Sequence, residues 1–513
     1  MPIQLPYIPG SDELRPFAAE IFLTIGMIGT LLAPMFTKKA NAASAWVALL
    51  AVAAALLAVL TMGDFTSAEH FRGMLVTDRL SIFWKIILLS FTLLIVLMWL
   101  DTTGKQMREG DGPEFFTLLL GAALGLSLMG STANLLMIFL AIELASLPSY
   151  VLAGFRKTSR IGAEAAMKYV LFGAATVSIM VWGMSIFYGL YGTLSVSRIA
   201  ELLAQHGPGN SGEAALLAAA MLTMLVGIGF KICAVPLHFW CPDVFEGAGV
   251  DVAAFLSVAS KGAGLILLFR LVTTVASAMG YAPTQPLPAM AACIGIVGAI
   301  TCTVGNTAAY TQNNIKRLLA YSSVAHAGYM LCALSLLCTH TGANASLAET
   351  AAQALLLYLA IYMVMNLGAF TCAAIVERQG GGVMLVNYAG LARRAPLIAI
   401  CMAGCLFSLV GLPPLAGFAA KLNLMLVLGN NGGWWWWLVA VIGINTIFSL
   451  YYYARVVRAM FLQTSDEPAF SPSGLGAAIS VLCLATLVVL LIGFNPLLKL
   501  TGDYGQLFLG VTR

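Results

Sequence analysis

Lysines and a glutamate lie inside apolar segments of this chain, where charged side chains are costly. Lys168, Lys231, Lys261 and Lys421 interrupt hydrophobic runs, and Glu143 lies in the middle of NLLMIFLAIELASLPSYVLAGF. A charge at bilayer depth costs roughly 2.5–3.5 kcal/mol on insertion scales, so such groups usually face a protein interior or a water-filled path. This pattern is typical of membrane proteins that move ions or protons.

Lysine suits proton transfer in a dry interior better than arginine does. Desolvation lowers the pKa of a buried lysine from about 10.4 by up to about 3–5 units, and a nearby carboxylate raises it again. Such a lysine is neutral alone and charged when a carboxylate approaches, whereas arginine stays protonated. His326, in AYSSVAHAGYML, has the residue type that titrates near pH 6.5. It is a candidate relay between lysines, with a hydrogen-bonded core histidine as the alternative.

Each of the other candidates also has a structural interpretation. Glu143 and Lys168 lie on adjacent apolar segments and form either a proton-transfer pair or a static salt bridge between helices. Lys231 lies beside a predicted helix break, five residues before Pro236, so its alternative role is to cap carbonyls that the break leaves free. For Lys261 and Lys421 the alternative is snorkelling to an interface.

Two further groups are predicted to be structural. Lys85 lies close to the start of its apolar segment and is interpreted as interfacial. His238, Asp243 and Glu246 cluster in PLHFWCPDVFEGAG and are interpreted as helix caps. Their alternative role is to gate one end of a proton path.

Composition excludes an ordinary soluble protein. Sixty per cent of the 513 residues are hydrophobic and 9% are charged, against about 25% charged in soluble domains. Since a spanning helix needs about 20 apolar residues, the runs predict an all-α polytopic membrane protein with about fourteen transmembrane helices. The net charge of +4 is too small and scattered for a nucleic-acid surface. The ten cysteines are interpreted as packing residues rather than metal or Fe–S ligands.

Two of the apolar segments are interrupted by proline. The seventh has Pro236 after Lys231, and the twelfth has Pro413 and Pro414 before Lys421. Broken helices at matching places in two halves are typical of inverted-repeat transporters, and they indicate where the transported species binds. The sequence therefore predicts two inverted repeats with broken helices.

A weak internal similarity supports the repeat. The segments 134–150 and 313–329 share their length, an initial Asn and a final Tyr, and their alignment places Glu143 on Ser322. The predicted organisation is three N-terminal helices in 1–112, a first antiporter-like repeat in 113–285, a second in 286–430 that continues to about 461, and a C-terminal helix in 462–513.

The distribution of positive charge predicts the orientation. With the N-terminus outside, the inner loops carry roughly twice as many of the 26 lysines and arginines as the outer loops do. This bias predicts that both termini face outward, to the periplasm if the chain is bacterial, and it requires an even number of spans.

The sequence lacks motifs for redox or nucleotide chemistry. It has no Walker loop, and no Gly-x-Gly-x-x-Gly motif follows a strand. No Cys or His spacing supports haem or an Fe–S cluster. The driving force for transport is therefore expected from a partner or an ion gradient.

Three separated motifs resemble those of one membrane family. They are PLHFWCPDVFEGAGVDVAAFLSVASKGAG (236–264), NNIKRLLAYSSVAHAGYML and GLPPLAGFAAKLNL. In this order they are similar to the signatures of the antiporter-like subunits of proton-pumping NADH:quinone oxidoreductase, respiratory complex I, over essentially the whole chain. The run PDVFEGA followed by AFLSVASK is most similar to the N-type subunits. One departure is the segment 248–251, where the family often has Ala-Pro-Thr-Pro and this chain carries an extra acid, Asp251.

The resemblance implies a function and partners. It maps the family's proton-path residues onto Glu143, Lys168, Lys231, Lys261, His326 and Lys421. It implies that NADH, FMN, Fe–S clusters and quinone belong to partner subunits, with no cofactor in this chain. It also implies a bacterial inner (plasma) membrane location among the other membrane subunits of the complex.

Two other functions remain open from the sequence. The first is a subunit of a multisubunit cation/proton antiporter, which shares the fold and needs no redox partner. The second is a membrane scaffold whose lysines are static. Sodium-dependent exchange without NADH would indicate the antiporter, and loss of assembly without selective loss of pumping would indicate the scaffold.

Overall fold

The computed structural model describes residues 10–62, 67–105, 107–207, 209–280, 286–338, 345–465, 467–472 and 474–506. These parts of the chain are almost entirely helical. In chain order the helices are α1 (Ser11–Leu14), α2 (Ala18–Leu32), α3 (Ala40–Leu60), α4 (Arg79–Asp101), α5 (Asp111–Met129), α6 (Leu135–Ala153), α7 (Arg160–Tyr191), α8 (Val196–His206), α9 (Ser211–Ile232), α10 (Trp240–Gly247), α11 (Val250–Phe255), α12 (Lys261–Ala278), α13 (Leu287–Ala309), α14 (Ile315–Leu334), α15 (Ala345–Val376), α16 (Leu391–Arg394), α17 (Pro396–Val410), α18 (Ala416–Asn430), α19 (Trp436–Leu462), α20 (Gly474–Ile492) and α21 (Phe494–Gln506).

Short elements join these helices. A two-stranded antiparallel sheet, β1 (Ala68–His70) and β2 (Leu75–Thr77), lies between α3 and α4. A π-helical turn, Leu256–Ser260, joins α11 to α12, so that the three form one continuous helical segment. A second π-helical turn, Glu377–Gly381, follows α15. The 3-10 turns are Arg15–Phe17, Ala33–Met35, Thr103–Lys105, Ser335–Cys338, Leu385–Tyr388 and Gly433–Trp435.

The number of candidate membrane crossings is close to the predicted fourteen. Among the described residues, 13 helical segments are long and apolar enough to cross a membrane. Helices α17 and α18 have 15 residues each and are too short to cross alone. They divide between them the twelfth apolar segment, which the sequence predicted to be one broken span. The all-α, polytopic fold class is therefore confirmed.

Burial separates an inner set of helices from an outer set. The most apolar window of Val250–Ala278 is 100% buried within the chain and that of Ile315–Cys338 is 94% buried, against 28% for Gly474–Ile492. Outer helices expose leucine, isoleucine and tryptophan side chains, which suits contact with lipid. The inner set carries Lys261 at the start of α12 and His326 in the middle of α14. These candidate residues are therefore surrounded by other protein side chains rather than by lipid or bulk water.

Both predicted helix breaks are present. Between α9 and α10, Cys233 has a left-handed backbone with φ of 64°, and the Val235–Pro236 peptide bond is cis. Between α17 and α18, Gly411 has φ of 86°, and the Pro413–Pro414 bond is cis. Each break interrupts the backbone hydrogen-bond ladder and exposes helix ends within the apolar core.

The internal similarity has a structural basis, with a shift of one residue. Asn134 caps α6 by accepting a hydrogen bond from the Leu136 N–H, and Asn314 caps α14 by accepting from Lys316 and Arg317. Alignment on these two caps places Glu143 on Ser323 rather than on Ser322. The alignment from the sequence paired Asn134 with Asn313, the residue before the cap, and was therefore shifted by one residue.

Candidate functional site

Lys231 lies in the last turn of α9, directly before the break. It is 1% exposed. Helix α12 passes close to it because Gly264 lacks a side chain: a Cβ at that position would lie 3.3 Å from the Lys231 Cβ. The half-buried carboxylate of Glu143 on α6 interacts electrostatically with the Lys231 ammonium. The structure thus brings Glu143 to Lys231 rather than to Lys168.

Lys261 is the first residue of α12 and is also 1% exposed. Its Nζ donates to the Ser323 Oγ at 2.7 Å and lies 3.4 Å from the Cys241 Sγ. The ammonium also lies 4.7 Å from the centre of the Phe245 ring. Every one of these contacts is with an uncharged side chain. Snorkelling to an interface is therefore wrong for Lys261.

His326 lies beyond Ser323 on α14 and is 2% exposed. Its Nδ1 shares a hydrogen bond of 2.7 Å with the Tyr358 hydroxyl. The imidazole stacks on the Tyr362 ring with centroids 5.1 Å apart. Tyr362 also reaches the carbonyl of Ser257, in the turn before Lys261. His326 is therefore hydrogen-bonded in the core, as its structural interpretation predicted, and Tyr362 joins it to the turn that precedes Lys261.

Lys421 occupies the second break. It is 4% exposed, and its Nζ donates to the carbonyls of Val410 at 2.8 Å and Leu409 at 3.3 Å. The ammonium lies 4.7 Å from the centre of the Tyr329 ring. Snorkelling is wrong here as well, because Lys421 caps the carbonyls that the end of α17 leaves free. The capping role that the sequence suggested for Lys231 is thus observed at Lys421.

A group of amides and hydroxyls continues past Tyr329. The Asn306 Nδ2 donates to the Tyr329 hydroxyl at 2.9 Å and to the Asn445 Oδ1 at 3.1 Å. The Tyr452 hydroxyl donates to the Asn306 Oδ1 at 3.0 Å. Hydroxyls and amides both donate and accept hydrogen bonds, so this group extends the polar interior from α14 to α19.

Lys168 lies apart from the buried lysines. Its Nζ pairs with Asp243 at 2.6 Å and with Glu164 at 2.8 Å, and the side chain is about one-third exposed. Arg317 bridges Asp243 at 2.7 Å and Glu246 at 2.6 Å. A direct Glu143–Lys168 ion pair is therefore wrong, because Lys168 faces the acids of α10. The prediction of helix caps is also wrong for Asp243 and Glu246, which form ion pairs between helices.

The interpretation of Lys85 as interfacial is wrong. Lys85 is 1% exposed and pairs with Glu20 of α2 at 2.9 Å. The Ser127 hydroxyl donates to the same carboxylate at 2.7 Å. The sequence signal that could have revealed this pair is Glu20 itself, an acid within the first apolar run. A second buried pair joins Arg270 to Asp78 through contacts of 2.6 and 2.9 Å.

Some residues of the site carried no sequence signal. Tyr358 has an ordinary membrane-helix environment in the sequence, and Cys241 was interpreted only as a packing residue. Their importance depends on which helices meet, which one sequence does not disclose. Among the described residues, no group of three or more His, Cys, Asp or Glu side chains is arranged to hold a metal ion.

Comparison with known proteins identifies relatives for this arrangement. Residues 132–449 match the family model of the NADH:quinone oxidoreductase/Mrp antiporter transmembrane region. NADH-quinone oxidoreductase subunit N of Anaeromyxobacter sp. is 36% identical, with 98% of this chain and 99% of the relative covered. Subunit N 2 of the same enzyme in Sorangium cellulosum is 39% identical, with 93% of each chain covered.

Solved structures show the same fold. A chain of respiratory complex I from Thermus thermophilus with bound aureothin is 31% identical and superposes with a TM-score of 0.74, covering 93% of this chain and 98% of that chain. A chain of the Mrp complex from Dietzia sp. has a TM-score of 0.80 at only 20% identity, covering 97% of this chain and 98% of that chain. The fold is therefore common to both kinds of complex, and the sequence identity favours the first.

Proposed function

This chain belongs to the NADH:quinone oxidoreductase/Mrp antiporter family of membrane subunits, and we propose that it translocates protons as an N-type subunit of respiratory complex I. The observation that carries the proposal is the buried line of Lys231, Lys261, His326 and Lys421. Their near-complete burial places them out of reach of bulk solvent. A scaffold needs no ammonium groups at this depth, where each is costly.

Lys231 is the central switch of the proposed path. Glu143 is the one predicted carboxylate that interacts with it, so movement of Glu143 toward or away from Lys231 changes how firmly the lysine holds its proton. Lys261 and His326 then relay the proton to Lys421. The contacts of these three residues support proton transfer, because each contact is with an uncharged hydroxyl, carbonyl or ring and so does not form an ion pair.

Lys168 is assigned a different place in the path. It lies with Asp243, Arg317 and Glu246 in a charged network that joins α7, α10 and α14. On the predicted orientation this network is on the inner side, where protons are taken up. Lys168 therefore exchanges protons near the inner surface and does not act as a partner of Glu143.

The proposed setting is a bacterial inner membrane with both termini in the periplasm. The partners are the other membrane subunits of the complex and the lipid bilayer. NADH, FMN, the Fe–S clusters and quinone belong to those other subunits, and quinone reduction there drives proton movement here. The positive-charge bias of the loops supports the orientation, and the full-length match to subunit N relatives supports the partnership.

The experiment is proton pumping by membrane vesicles that contain the whole complex with Lys231→Ala. NADH oxidation and assembly are measured in the same samples, and exposed Lys39→Ala is the matched control. We expect an assembled Lys231→Ala complex that loses pumping and most coupled NADH oxidation, with the control unchanged. Full pumping by an assembled Lys231→Ala complex would contradict the proposal. Sodium-driven proton exchange without NADH would instead indicate an antiporter.

A further inference from the structure

The break between α9 and α10 places two thiols next to the buried lysines. Cys233 follows the last residue of α9, and Cys241 is the second residue of α10. Both are free cysteines and are completely buried. The path described above uses neither of them, although each can donate and accept a hydrogen bond.

Cys241 contacts one of the buried lysines, and Cys233 is close enough to interact electrostatically with both. The Lys261 Nζ lies 3.4 Å from the Cys241 Sγ. The Cys233 thiol interacts with both Cys241 and Lys261, and it also interacts electrostatically with the Lys231 ammonium. Lys231, Cys233, Cys241 and Lys261 are therefore neighbouring titratable groups, and Cys241 and Lys261 are in direct contact.

The backbone of Cys233 is a second, independent observation. Its φ of 64° lies in the left-handed region, where a helix normally ends on glycine because a Cβ is unfavourable. The chain nevertheless has a side chain there, and that side chain is a thiol turned into the core. Strained backbone of this kind occurs mainly at functional positions.

Aromatic side chains of α10 pack next to Cys241 in the same helix. Trp240 stacks on Tyr169 with centroids 4.2 Å apart, and its indole N–H donates to the Phe230 carbonyl at 3.2 Å. The Phe245 ring lies against the Lys261 ammonium. The facing polar groups are the Tyr169 hydroxyl and the Ser323 hydroxyl, and both are uncharged at neutral pH. Neither competes with the lysines for a proton.

We propose that the Cys233 and Cys241 thiols carry protons between Lys231 and Lys261. Cys241 S–H gives its proton to neutral Lys261, forming an N–H bond and leaving a thiolate. Cys233 S–H reprotonates that thiolate, and the Lys231 ammonium then reprotonates Cys233. One proton moves from Lys231 to Lys261, both thiols are restored, and no electron is transferred. This relay rests on the proposed function and adds two residues to it.

Cysteine is chemically suited to such a step. The ordinary pKa values of a thiol, about 8.5, and of a lysine, about 10.4, are close enough for a proton to be exchanged in either direction. A serine hydroxyl also donates and accepts hydrogen bonds, so it preserves a connected chain of groups. Alanine breaks that chain at nearly the same volume.

The test uses vesicles of the whole complex with Cys241→Ala, Cys241→Ser and Cys372→Ala. Cys372 is the matched control, because it is equally buried but contacts the Ser480 hydroxyl at 3.6 Å on another part of the molecule. We expect Cys241→Ala to lower the protons pumped per NADH at least twofold. Cys241→Ser retains most of the pumping, and Cys372→Ala retains all of it. Unchanged pumping by an assembled Cys241→Ala complex would overturn the relay.

If Cys241→Ala does not assemble, infrared difference spectroscopy of the unmodified complex tests whether the thiols take part in the relay. Reduction with NADH should change an S–H stretching band that Cys241→Ser removes. An S–H spectrum that stays the same on reduction would contradict the relay. Loss of pumping in Lys231→Ala with full pumping in Cys241→Ala would refute the relay alone, whereas full pumping in both would refute the proposed function as well.

Discussion

Two groups of buried cations, one paired with carboxylates and one not, are similarly enclosed within the helices. Lys85 contacts the Glu20 carboxylate at 2.9 Å, and Arg270 contacts both oxygens of Asp78. Lys261 and Lys421 contact hydroxyl, thiol, carbonyl and ring atoms instead. Among the described residues, neither of the latter forms an ion pair with a carboxylate.

This difference separates a structural charge from a transferable one. A carboxylate in contact favours the ammonium form of a buried lysine, and the pair of Lys85 with Glu20 ties α4 to α2. Uncharged partners hold the neutral and the protonated lysine with more similar strength. Burial alone therefore does not identify a proton carrier, and the chemical type of the contacting partner does.

The largest effect is expected at the N-terminal pair. Lys85→Ala leaves the Glu20 carboxylate buried and unpaired, which costs about 3–5 kcal/mol. We expect most of the assembled complex to be lost, as measured by native electrophoresis and the thermal midpoint of the purified complex. The double variant Lys85→Met, Glu20→Gln removes both charges and should recover much of the assembly. A stable Lys85→Ala complex would show that this pair is not structural.

A smaller structural effect, with complete loss of transport, is expected at Lys421. Lys421→Met removes the hydrogen bonds to the carbonyls of Val410 and Leu409, at about 1–3 kcal/mol for buried groups left unsatisfied. The complex should assemble but stop pumping, as recorded by a pH-sensitive dye in vesicles. Pumping at the normal rate would place Lys421 with Lys85, as a purely structural cation.

A partial effect is expected from Tyr358→Phe. This change removes the hydroxyl that fixes His326 while keeping the ring that packs beside it. The imidazole loses its orientation, so pumping should fall a few-fold with assembly unchanged. The same change at Tyr388, which is equally buried and has no hydrogen-bond partner for its hydroxyl, is the control. Equal pumping by the two variants would remove His326 from the path.

No effect is expected from Lys157→Ala. Lys157 lies in the loop between α6 and α7, and its pairs with Glu114 and Asp111 are solvent-exposed. The hydrogen bond and charge of Glu114, followed by the charge of Asp111, raise the pKa of Lys157. Its pairing is therefore present below its ordinary pKa and is lost only as the pH rises through the raised value. Pumping measured from pH 6 to 8 should match that of the unmodified complex, and a deviation would show that exposed charges also matter.

Much of the fold follows from the sequence because its causes are local. Apolar runs set the crossings, and the prolines at 236, 413 and 414 set the two breaks. Lys231, Lys261 and Lys421 could be singled out because each is a charged residue within an apolar run. These features need no knowledge of which helices touch.

The pairings could not be predicted in the same way. Lys168 was matched to Glu143 because their helices are neighbours in the chain, but α7 turns Lys168 toward Asp243 of α10. Lys85 was taken as interfacial because its partner, Glu20, lies two helices earlier. Charge pairing depends on helix rotation and packing, and small-residue contacts such as that of Gly264 with Lys231 set both.

The most direct test of the central claim replaces lysine by arginine at one site of each kind. Arginine keeps the positive charge but does not release its proton, so it supports an ion pair and blocks a relay. Proton pumping per NADH is measured for assembled complexes with Lys85→Arg and Lys261→Arg, two sites of equal burial. We predict that Lys85→Arg pumps normally and that Lys261→Arg does not pump. Normal pumping by Lys261→Arg would contradict the account, because a fixed charge would then be enough at the centre of the path.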